Sequence, residues 1–195
     1  MSSLLSIFLL FAVFISHCGA TTEAAVEAVK DINGKPLLAG YNYYILPVVR
    51  GRGGGLTMSK PENKTCRTSV IQARFEVSQG LPLKFSPFDK SRIVRVSTDQ
   101  NIKFSQTSIW ELANFDETTS QSFISTCGVE GNPGLTTVSN WFKIDKFDKD
   151  YKIRFCPTVC NFCKVICRDV GVFVQDGMRR LALSEVPLKV MFKRA

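Results

Sequence analysis

Short runs of alternating or β-branched residues, separated by turn residues, follow one another along most of the chain. The runs predicted as strands are 42–49, 70–77, 81–85, 93–104, 108–115, 121–126, 141–147, 151–155, 170–175, 179–183 and 188–192. Pro, Gly, Asn or Asp interrupts them about every eight to twelve residues. No window of helix length carries an apolar stripe with a 3.6-residue period. The pattern therefore predicts an all-β barrel or sandwich.

Two of these runs resemble each other. Each begins with tryptophan and ends in an acidic turn, Trp110 to Phe115 in one case and Trp141 to Phe147 in the other. Because large aromatic residues that open a strand usually pack in a core, we expect Trp110 and Trp141 to be buried. The similarity also indicates a fold built from repeats.

The N-terminus has the pattern of a secretory signal. Residues 4–15 are apolar and uncharged, and the small residues Gly19 and Ala20 follow. The apolar run, at about twelve residues, is too short to span a bilayer. We therefore predict a signal peptide over residues 1–20, with cleavage between 20 and 24, no membrane span, and a secreted protein that is extracellular or vacuolar. Residues 21–30 are predicted to be an unpaired terminus.

Removal of the signal peptide limits the possible chemistry. The one histidine of the chain, His17, is lost with it. Catalysis by Ser-His-Asp or Cys-His groups and histidine metal sites are then excluded, so we predict no enzyme activity, no cofactor and no metal. The formal net charge is +8, but the basic residues are spread along the chain, with no run of five or more. The charge therefore indicates solubility rather than a nucleic-acid partner.

The cysteines fit an oxidising compartment. Seven are present, and six remain without Cys18. Four lie within residues 156–167, where a four-thiolate zinc site is one interpretation and nested disulfides are the other. Because the chain is predicted to be secreted, we favour disulfides. The predicted pairs are Cys156–Cys167, Cys160–Cys163 and Cys66–Cys127. Asn63, in Asn-Lys-Thr, is a predicted glycosylation site.

Two loops carry candidate chemistry. The glycine-rich stretch 50–55 lacks the Gly-Lys-Ser/Thr ending of a phosphate loop, so a flexible or close-packed turn is predicted. The polar, basic segment 86–96 begins with a Ser-Pro turn and lies between two predicted strands, which indicates an exposed loop. Lys90 and Arg92, next to Ile93, are residues that a trypsin-like protease cleaves and that an inhibitor presents.

Several short motifs together resemble one plant family. They are Asn42 to Pro47 after Asp-x-x-Gly, Gly53 to Leu56, Trp141 to Ile144, Phe155 to Pro157, Cys167 to Gly171, and Arg179 to Leu183. This combination is similar to the plant Kunitz-type proteins, which include soybean trypsin inhibitor. Gly131 to Gly134 and Cys156 to Cys160 resemble the miraculin-like branch. The resemblance covers residues 29–193, nearly all of the mature chain.

The resemblance implies a β-trefoil of twelve strands, with three pseudo-repeats forming a six-stranded barrel and three capping hairpins. It also implies substrate-like inhibition of a trypsin-like or subtilisin-like serine protease. The reactive-site loop would comprise Ser86, Pro87, Phe88, Asp89, Lys90, Ser91, Arg92, Ile93 and Val94. Arg92 would be the primary specificity residue and Arg92–Ile93 the scissile bond. A different alignment gives Ile93, and Lys90 is a third alternative.

The chain departs from the family pattern at three positions. The asparagine that braces the loop of inhibitory members falls on Ala39 or its neighbour. The usual partner of Cys66 would lie between Phe104 and Trp110 but is missing, so Cys127 is expected to replace it. The cysteine that links miraculin subunits is also absent, which predicts a monomer. The alternative function is a miraculin-like defence or binding protein with weak or no inhibition; a carbohydrate-binding trefoil ranks below it.

Overall fold

The computed structural model describes residues 26–60, 68–104 and 108–195, and within these ranges it contains twelve strands. They are β1 (Tyr43–Pro47), β2 (Leu56–Met58), β3 (Val70–Gln72), β4 (Lys84–Pro87), β5 (Gln100–Lys103), β6 (Trp110–Leu112), β7 (Ile124–Thr126), β8 (Lys143–Phe147), β9 (Asp150–Phe155), β10 (Arg168–Gln175), β11 (Met178–Ser184) and β12 (Val190–Arg194). A 3-10 helix, Leu135–Asn140, connects β7 to β8.

Six of the strands close a barrel. β1 pairs with β12, β12 with β9, β9 with β8, and β4 with β5, all antiparallel. Two single bridges complete the ring: Gln100 at the start of β5 pairs with Phe142, and Tyr43 in β1 pairs with Leu83. Closure leaves no unpaired edge along the barrel, which protects it from pairing with other chains.

The other six strands form three hairpins, β2–β3, β6–β7 and β10–β11. The hairpins contact each other in a triangle. β3 pairs with β11, Ser69 bridges Ser125, and Phe123 bridges Ala182. One barrel and three mutually paired hairpins, in the chain order of the strands, give a threefold arrangement. The predicted β-trefoil with twelve strands is confirmed.

The barrel is filled by side chains that alternate along the strands. In β1 and β9 every second residue is buried, as expected for strands with one face toward the core. Trp110 is fully buried and Trp141 is 2% exposed, so the prediction for both tryptophans is confirmed. The ring of Trp110 lies edge-on to Phe142, with 6.0 Å between centroids. Such contacts tie neighbouring repeats together.

The glycine-rich stretch is a close-packed turn, one of the two predicted forms. Gly55 donates its N–H to the carbonyl of Ser78 at 2.8 Å. A Cβ atom on Gly55 would lie 2.0 Å from the carbonyl oxygen of Gln79, which is far inside contact distance. The glycines therefore allow residues 75–79 to lie directly against the backbone of this turn.

The structure corrects two predictions about local structure and adds one element that was not predicted. Of the predicted strand 93–104, only β5 is regular, and Ser97, with a φ of 56°, interrupts the segment before it. Residues 26–30 are not an unpaired terminus, because Val29 is fully buried and donates its N–H to Val94. The 3-10 helix was not predicted.

Within the described ranges, no helix has the length and apolar composition needed to cross a membrane.

Candidate functional site

The predicted reactive-site loop leaves the barrel at the end of β4. Ser86 and Pro87 belong to this strand, and Pro87 is buried. The side chains that follow, from Phe88 to Lys90, are exposed, and so is Arg92. Val94 is fully buried. The part of the predicted loop that a protein partner can reach is therefore its centre, between two buried residues.

The loop contains its own turn. The N–H of Lys90 donates to the carbonyl of Pro87 at 3.1 Å, and Lys90 has a φ of 55°. A carboxylate oxygen of Asp89 accepts the N–H of Ser91 at 2.9 Å, and the Ser91 hydroxyl accepts the N–H of Ile93 at 3.2 Å. Short polar side chains commonly fix turns in this way. The local sequence thus shapes the loop before any partner binds.

Both ends of the loop are fastened to the barrel. On the upstream side, the N–H of Phe88 donates to the carbonyl of Asp99 at 2.9 Å, and the Phe88 ring packs edge-to-face on Trp141 at 6.0 Å. On the downstream side, the N–H of Val94 donates to Leu37 and its carbonyl accepts the N–H of Val29, both at 2.9 Å. The exposed centre therefore spans two fixed points.

A backbone hydrogen bond fixes the centre as well. The carbonyl of Arg92 accepts the N–H of Ala39 at 2.9 Å, and Ile93 forms a bridge with Leu38. Ala39 is where the family resemblance placed a bracing asparagine. Alanine has no side-chain donor, so position 39 supports the loop through its main chain alone.

Below the loop, β4 and β5 are joined to the segment 127–134 by charged and polar side chains. Lys103 in β5 contacts both carboxylate oxygens of Glu130, at 2.7 and 2.5 Å, and the Ser86 hydroxyl donates to the same carboxylate at 2.5 Å. Burial opposes ionisation of Glu130, but the hydrogen bonds from Lys103 and Ser86 and the Lys103 charge outweigh it. The pKa of Glu130 therefore lies below its ordinary value.

Asn101 makes a second connection to the same segment. Its amide nitrogen donates to the carbonyl of Asn140 at 2.9 Å, and its side-chain oxygen accepts the N–H of Gly131 at 2.7 Å. Asn101 is fully buried, so an unpaired amide there would be costly. The conformation of the Gly131–Gly134 motif and the base of the loop are thereby linked.

A disulfide-containing loop lies next to the reactive-site loop. It joins β9 to β10 and contains the disulfides Cys156–Cys167 and Cys160–Cys163. Asp99, whose main chain holds Phe88, also accepts the N–H of Thr158 on its carboxylate at 3.0 Å and the Thr158 hydroxyl at 2.5 Å. One buried residue therefore supports both loops.

Several predicted features lie outside the described residues. These are the signal peptide 1–20, the glycosylation site Asn63, and Cys66. Cys127 is disulfide-bonded. Its pairing with Cys66 stays a prediction, because Cys66 falls in one of the gaps of the description.

Sequence reasoning missed three residues that hold the loop: Asp99, Asn101 and Glu130. Asp99 lies just before β5, Asn101 lies in β5, and Glu130 is far from the loop in sequence. All three are polar, and nothing in the sequence around them indicates that they support the loop. The one available signal was the Gly131–Gly134 motif, whose backbone Asn101 binds. In the described part of the chain, no group of three or more His, Cys, Asp or Glu residues is arranged to hold a metal ion.

Comparison with known proteins gives consistent results. The family model for Kunitz legume proteins, described as "Trypsin and protease inhibitor", matches residues 29–194. "Kunitz trypsin inhibitor 5" of Arabidopsis thaliana is 84% identical over 195 residues, which is 100% of both chains. Miraculin of Synsepalum dulcificum is 46% identical, over 90% of this chain and 86% of its own.

Solved structures with this fold include inhibitors of different protease classes. The Kunitz-type cysteine protease inhibitor PCPI-3 from potato aligns with a TM-score of 0.76 and 31% identity, over 87% of this chain and 98% of its own. A Kunitz-type trypsin inhibitor from Cicer arietinum aligns with a TM-score of 0.72 and 36% identity, over 87% and 99%.

Proposed function

Since the chain belongs to the Kunitz family of trypsin and protease inhibitors, we propose that it inhibits trypsin-like serine proteases through the loop from Ser86 to Val94. The loop would enter the protease cleft as a substrate does. The observation that carries the proposal is the pair of exposed basic residues, Lys90 and Arg92, on a segment whose two ends are fixed to the barrel.

The physical basis is pre-organisation. Phe88 and Val94 hold the ends of the loop, and Asp89 and Ser91 shape its centre, so little conformational entropy remains to be lost on docking. A basic side chain in the primary specificity pocket supplies the main anchor. The chain itself contributes no catalytic group, because the nucleophile and general base belong to the protease.

Among the three candidates for the primary residue, Arg92 is favoured. Ile93 is half-buried and paired with Leu38, so its side chain is less available. Lys90 has a positive φ, a conformation that costs a non-glycine residue about 1 kcal/mol. Arg92 is exposed and has no such strain. The Arg92 side chain can therefore enter the primary specificity pocket without a change in the φ region of its own backbone.

Binding at Arg92 requires one exchange of hydrogen bonds. The carbonyl of the scissile bond must point into the oxyanion hole of the protease, but in this structure it accepts the N–H of Ala39. Giving up that bond costs about 1 kcal/mol, and the donors of the oxyanion hole replace it. The exchange is therefore compatible with tight binding.

Titration of active trypsin tests the proposal. We expect Arg92→Ala to lose one trypsin-binding site per chain, and mass spectrometry of the wild-type complex to find a cut at Arg92–Ile93. Lys149→Ala is the matched control, since Lys149 is exposed and belongs to the β8–β9 turn rather than to the loop. An Arg92→Ala protein that titrates as much trypsin as the wild type, with an unchanged inhibition constant, contradicts the assignment. Loss with Lys90→Ala instead moves the bond to Lys90–Ser91.

The second candidate function is a miraculin-like defence or binding protein with weak or no inhibition. The absence of a side-chain donor at Ala39 favours it, because the loop then has less support after cleavage. Micromolar wild-type protein that slows none of trypsin, chymotrypsin and subtilisin would favour this alternative.

We also propose that the protein is a secreted monomer, extracellular or vacuolar. The signal pattern of residues 1–20 and the disulfides support the secretory route. N-terminal sequencing of the protein made in plant cells should begin between residues 21 and 25, and light scattering after gel filtration should give the mass of one chain.

A further inference from the structure

Another exposed basic residue, Lys164, lies in the disulfide-containing loop between β9 and β10. Its neighbours Phe162 and Ile166 are 80% and 60% exposed, so this part of the loop projects into solvent. Phe162 and Ile166 are therefore available, beside Lys164, to contact a protein partner. The function proposed for the Arg92 loop does not use these residues.

The backbone around Lys164 is held by covalent bonds. Cys163, directly before Lys164, is bonded to Cys160, and Cys167, three residues after it, is bonded to Cys156. At the start of the loop Thr158 is fixed by Asp99. Cross-links of this kind reduce the number of conformations that the segment must give up on binding.

The peptide group that follows Lys164 is free to meet a protease. In the described part of the chain, neither Lys164 nor Val165 makes a backbone hydrogen bond, and neither has a positive φ. The carbonyl of Arg92, by contrast, is bound to Ala39. The Lys164 carbonyl can therefore enter an oxyanion hole without breaking an internal contact.

We propose that Lys164–Val165 is a second reactive bond, at which Lys164 occupies the primary specificity pocket of a trypsin-like serine protease. The inference rests on the proposed function for the class of partner, but its site is separate from the Arg92 loop. A protein with both bonds would present two sites to the protease, one on each loop.

The chemistry at this bond is ordinary acyl transfer. The protease serine oxygen attacks the carbonyl carbon of Lys164, the C–N bond breaks, and the nitrogen of Val165 leaves as an amine with the proton from the protease base. Water then converts the ester to the Lys164 carboxylate. No oxidant or reductant is required.

The disulfides determine what happens after cleavage. The new carboxylate lies one residue after Cys163, and the new amine lies two residues before Cys167. Since the Cys156–Cys167 bond spans the cut, the chain remains one molecule and the amine stays close to the ester. Such an effective concentration favours re-formation of the peptide bond over release. The segment 86–94 contains no cysteine, so a cut at Arg92–Ile93 has no disulfide within a few residues of it, and the predicted Cys66–Cys127 pair would span it only from farther away.

The test removes the first loop and asks whether trypsin still binds. In the double variant Lys90→Ala/Arg92→Ala, we expect one trypsin molecule to be titrated per chain. Adding Lys164→Ala should raise the inhibition constant at least about 30-fold, as for an interface anchor. Lys164→Arg in place of Lys164→Ala should restore inhibition, and Lys149→Ala should have no effect. Thermal unfolding of each variant checks that the fold is intact.

Mass spectrometry identifies the bond. After incubation with trypsin, the double variant should gain the mass of one water, and it should separate into two fragments at Lys164–Val165 only when its disulfides are reduced.

The outcomes separate this inference from the proposed function. If wild type and Lys164→Ala inhibit trypsin equally and the double variant does not inhibit, the Arg92 loop is the single site and the second reactive bond is refuted. If the double variant inhibits and the triple variant does not, the second bond is established. If wild-type protein fails to bind trypsin at all, both are overturned.

Discussion

The ion pair between Lys103 and Glu130 provides a direct test of how the base of the Arg92 loop is held. The pair is largely shielded from water, because the Lys103 side chain is 10% exposed and the Glu130 side chain 33%. Glu130→Gln keeps the size of the side chain and one acceptor oxygen but removes its charge. The Lys103 ammonium is then left at a mostly buried position without a counter-charge.

The loss of unfolding free energy expected for Glu130→Gln lies between two limits. Removing one partner of a fully buried ion pair costs about 3–5 kcal/mol, whereas exposed pairs contribute less than about 1 kcal/mol. Because Glu130 is a third exposed and glutamine can still accept a hydrogen bond from Lys103, we expect a loss of about 2 kcal/mol. For a chain of this size that lowers the melting temperature by about 4–8 °C.

A double-mutant cycle measures the interaction itself. Lys103→Met fills a similar volume without charge and leaves Glu130 bound to Ser86, so we expect a loss of about 1 kcal/mol. When both substitutions are combined, neither new side chain carries a charge that could be left unpaired. The double variant should therefore cost less than the sum of the single changes, with a coupling of about 2 kcal/mol. Urea unfolding of the four proteins gives the free energies.

The same variants predict a pH dependence. The pKa of Glu130 is lowered in the folded protein, so its contribution is fully present above the ordinary value of 4.5 and is lost as the pH falls through the folded pKa. The stability difference between wild type and Glu130→Gln should therefore shrink below about pH 4.5. Two results would refute this account of the ion pair. One is a double variant whose loss of unfolding free energy equals the sum of the two single losses. The other is a stability difference between wild type and Glu130→Gln that does not shrink at acidic pH.

Two further predictions concern the support of the loop and of the glycine turn. Ala39→Asn adds a side-chain donor next to the loop, at the residue whose N–H already binds Arg92. One new hydrogen bond to residues 89–91 that persists in the complex is worth about 1 kcal/mol and should tighten trypsin inhibition about fivefold, as measured by the inhibition constant; unchanged or weaker inhibition would show that the amide does not brace the loop. Gly55→Ala should lower the free energy of unfolding by about 3 kcal/mol, because its Cβ would lie 2.0 Å from the carbonyl oxygen of Gln79. Gly177→Ala, where a Cβ meets nothing within 4 Å but φ is 74°, is the control and should cost only about 1 kcal/mol; equal losses would exclude the steric explanation.

The fold could be predicted because its main signal is local. Alternating apolar residues recur in short runs, as in β9, and turn residues separate them. Irregular segments gave no such signal. Residues 93–96 look like a strand in sequence, yet they pair only through single bridges such as Leu38 with Ile93, because Ser97 adopts a positive φ. Val29 looked like part of a loose terminus, and its burial is explained by hydrogen bonds to Leu37 and to the distant Val94.

The candidate site could be predicted only in part. Proline, aspartate and serine identified an exposed turn around Lys90 and Arg92, since their effects act within a few residues. The residues below it could not be found in the same way. Glu130 is separated from Ser86 by 44 positions and Asp99 from Thr158 by 59, and each contact exists only because the barrel closes. Tertiary contacts of this kind leave no periodic pattern in sequence.

The contacts around the Arg92 loop bear on whether an inhibitor can function without a bracing side chain at Ala39. A cut at Arg92–Ile93 would free only a short segment. Upstream of the cut, the Phe88 ring still packs on Trp141, and the Phe88 N–H still donates to the carbonyl of Asp99. Downstream, the new amine belongs to Ile93, and the next residue, Val94, is fully buried. Neither anchor depends on the intact bond, so the new amine is held in place, and only residues 89–92 gain freedom. Fixing the backbone of one residue costs about 1–2 kcal/mol of conformational entropy. A bracing side chain on residues 89–92 would therefore change the equilibrium between the cut and the intact loop, but the protease can bind without it.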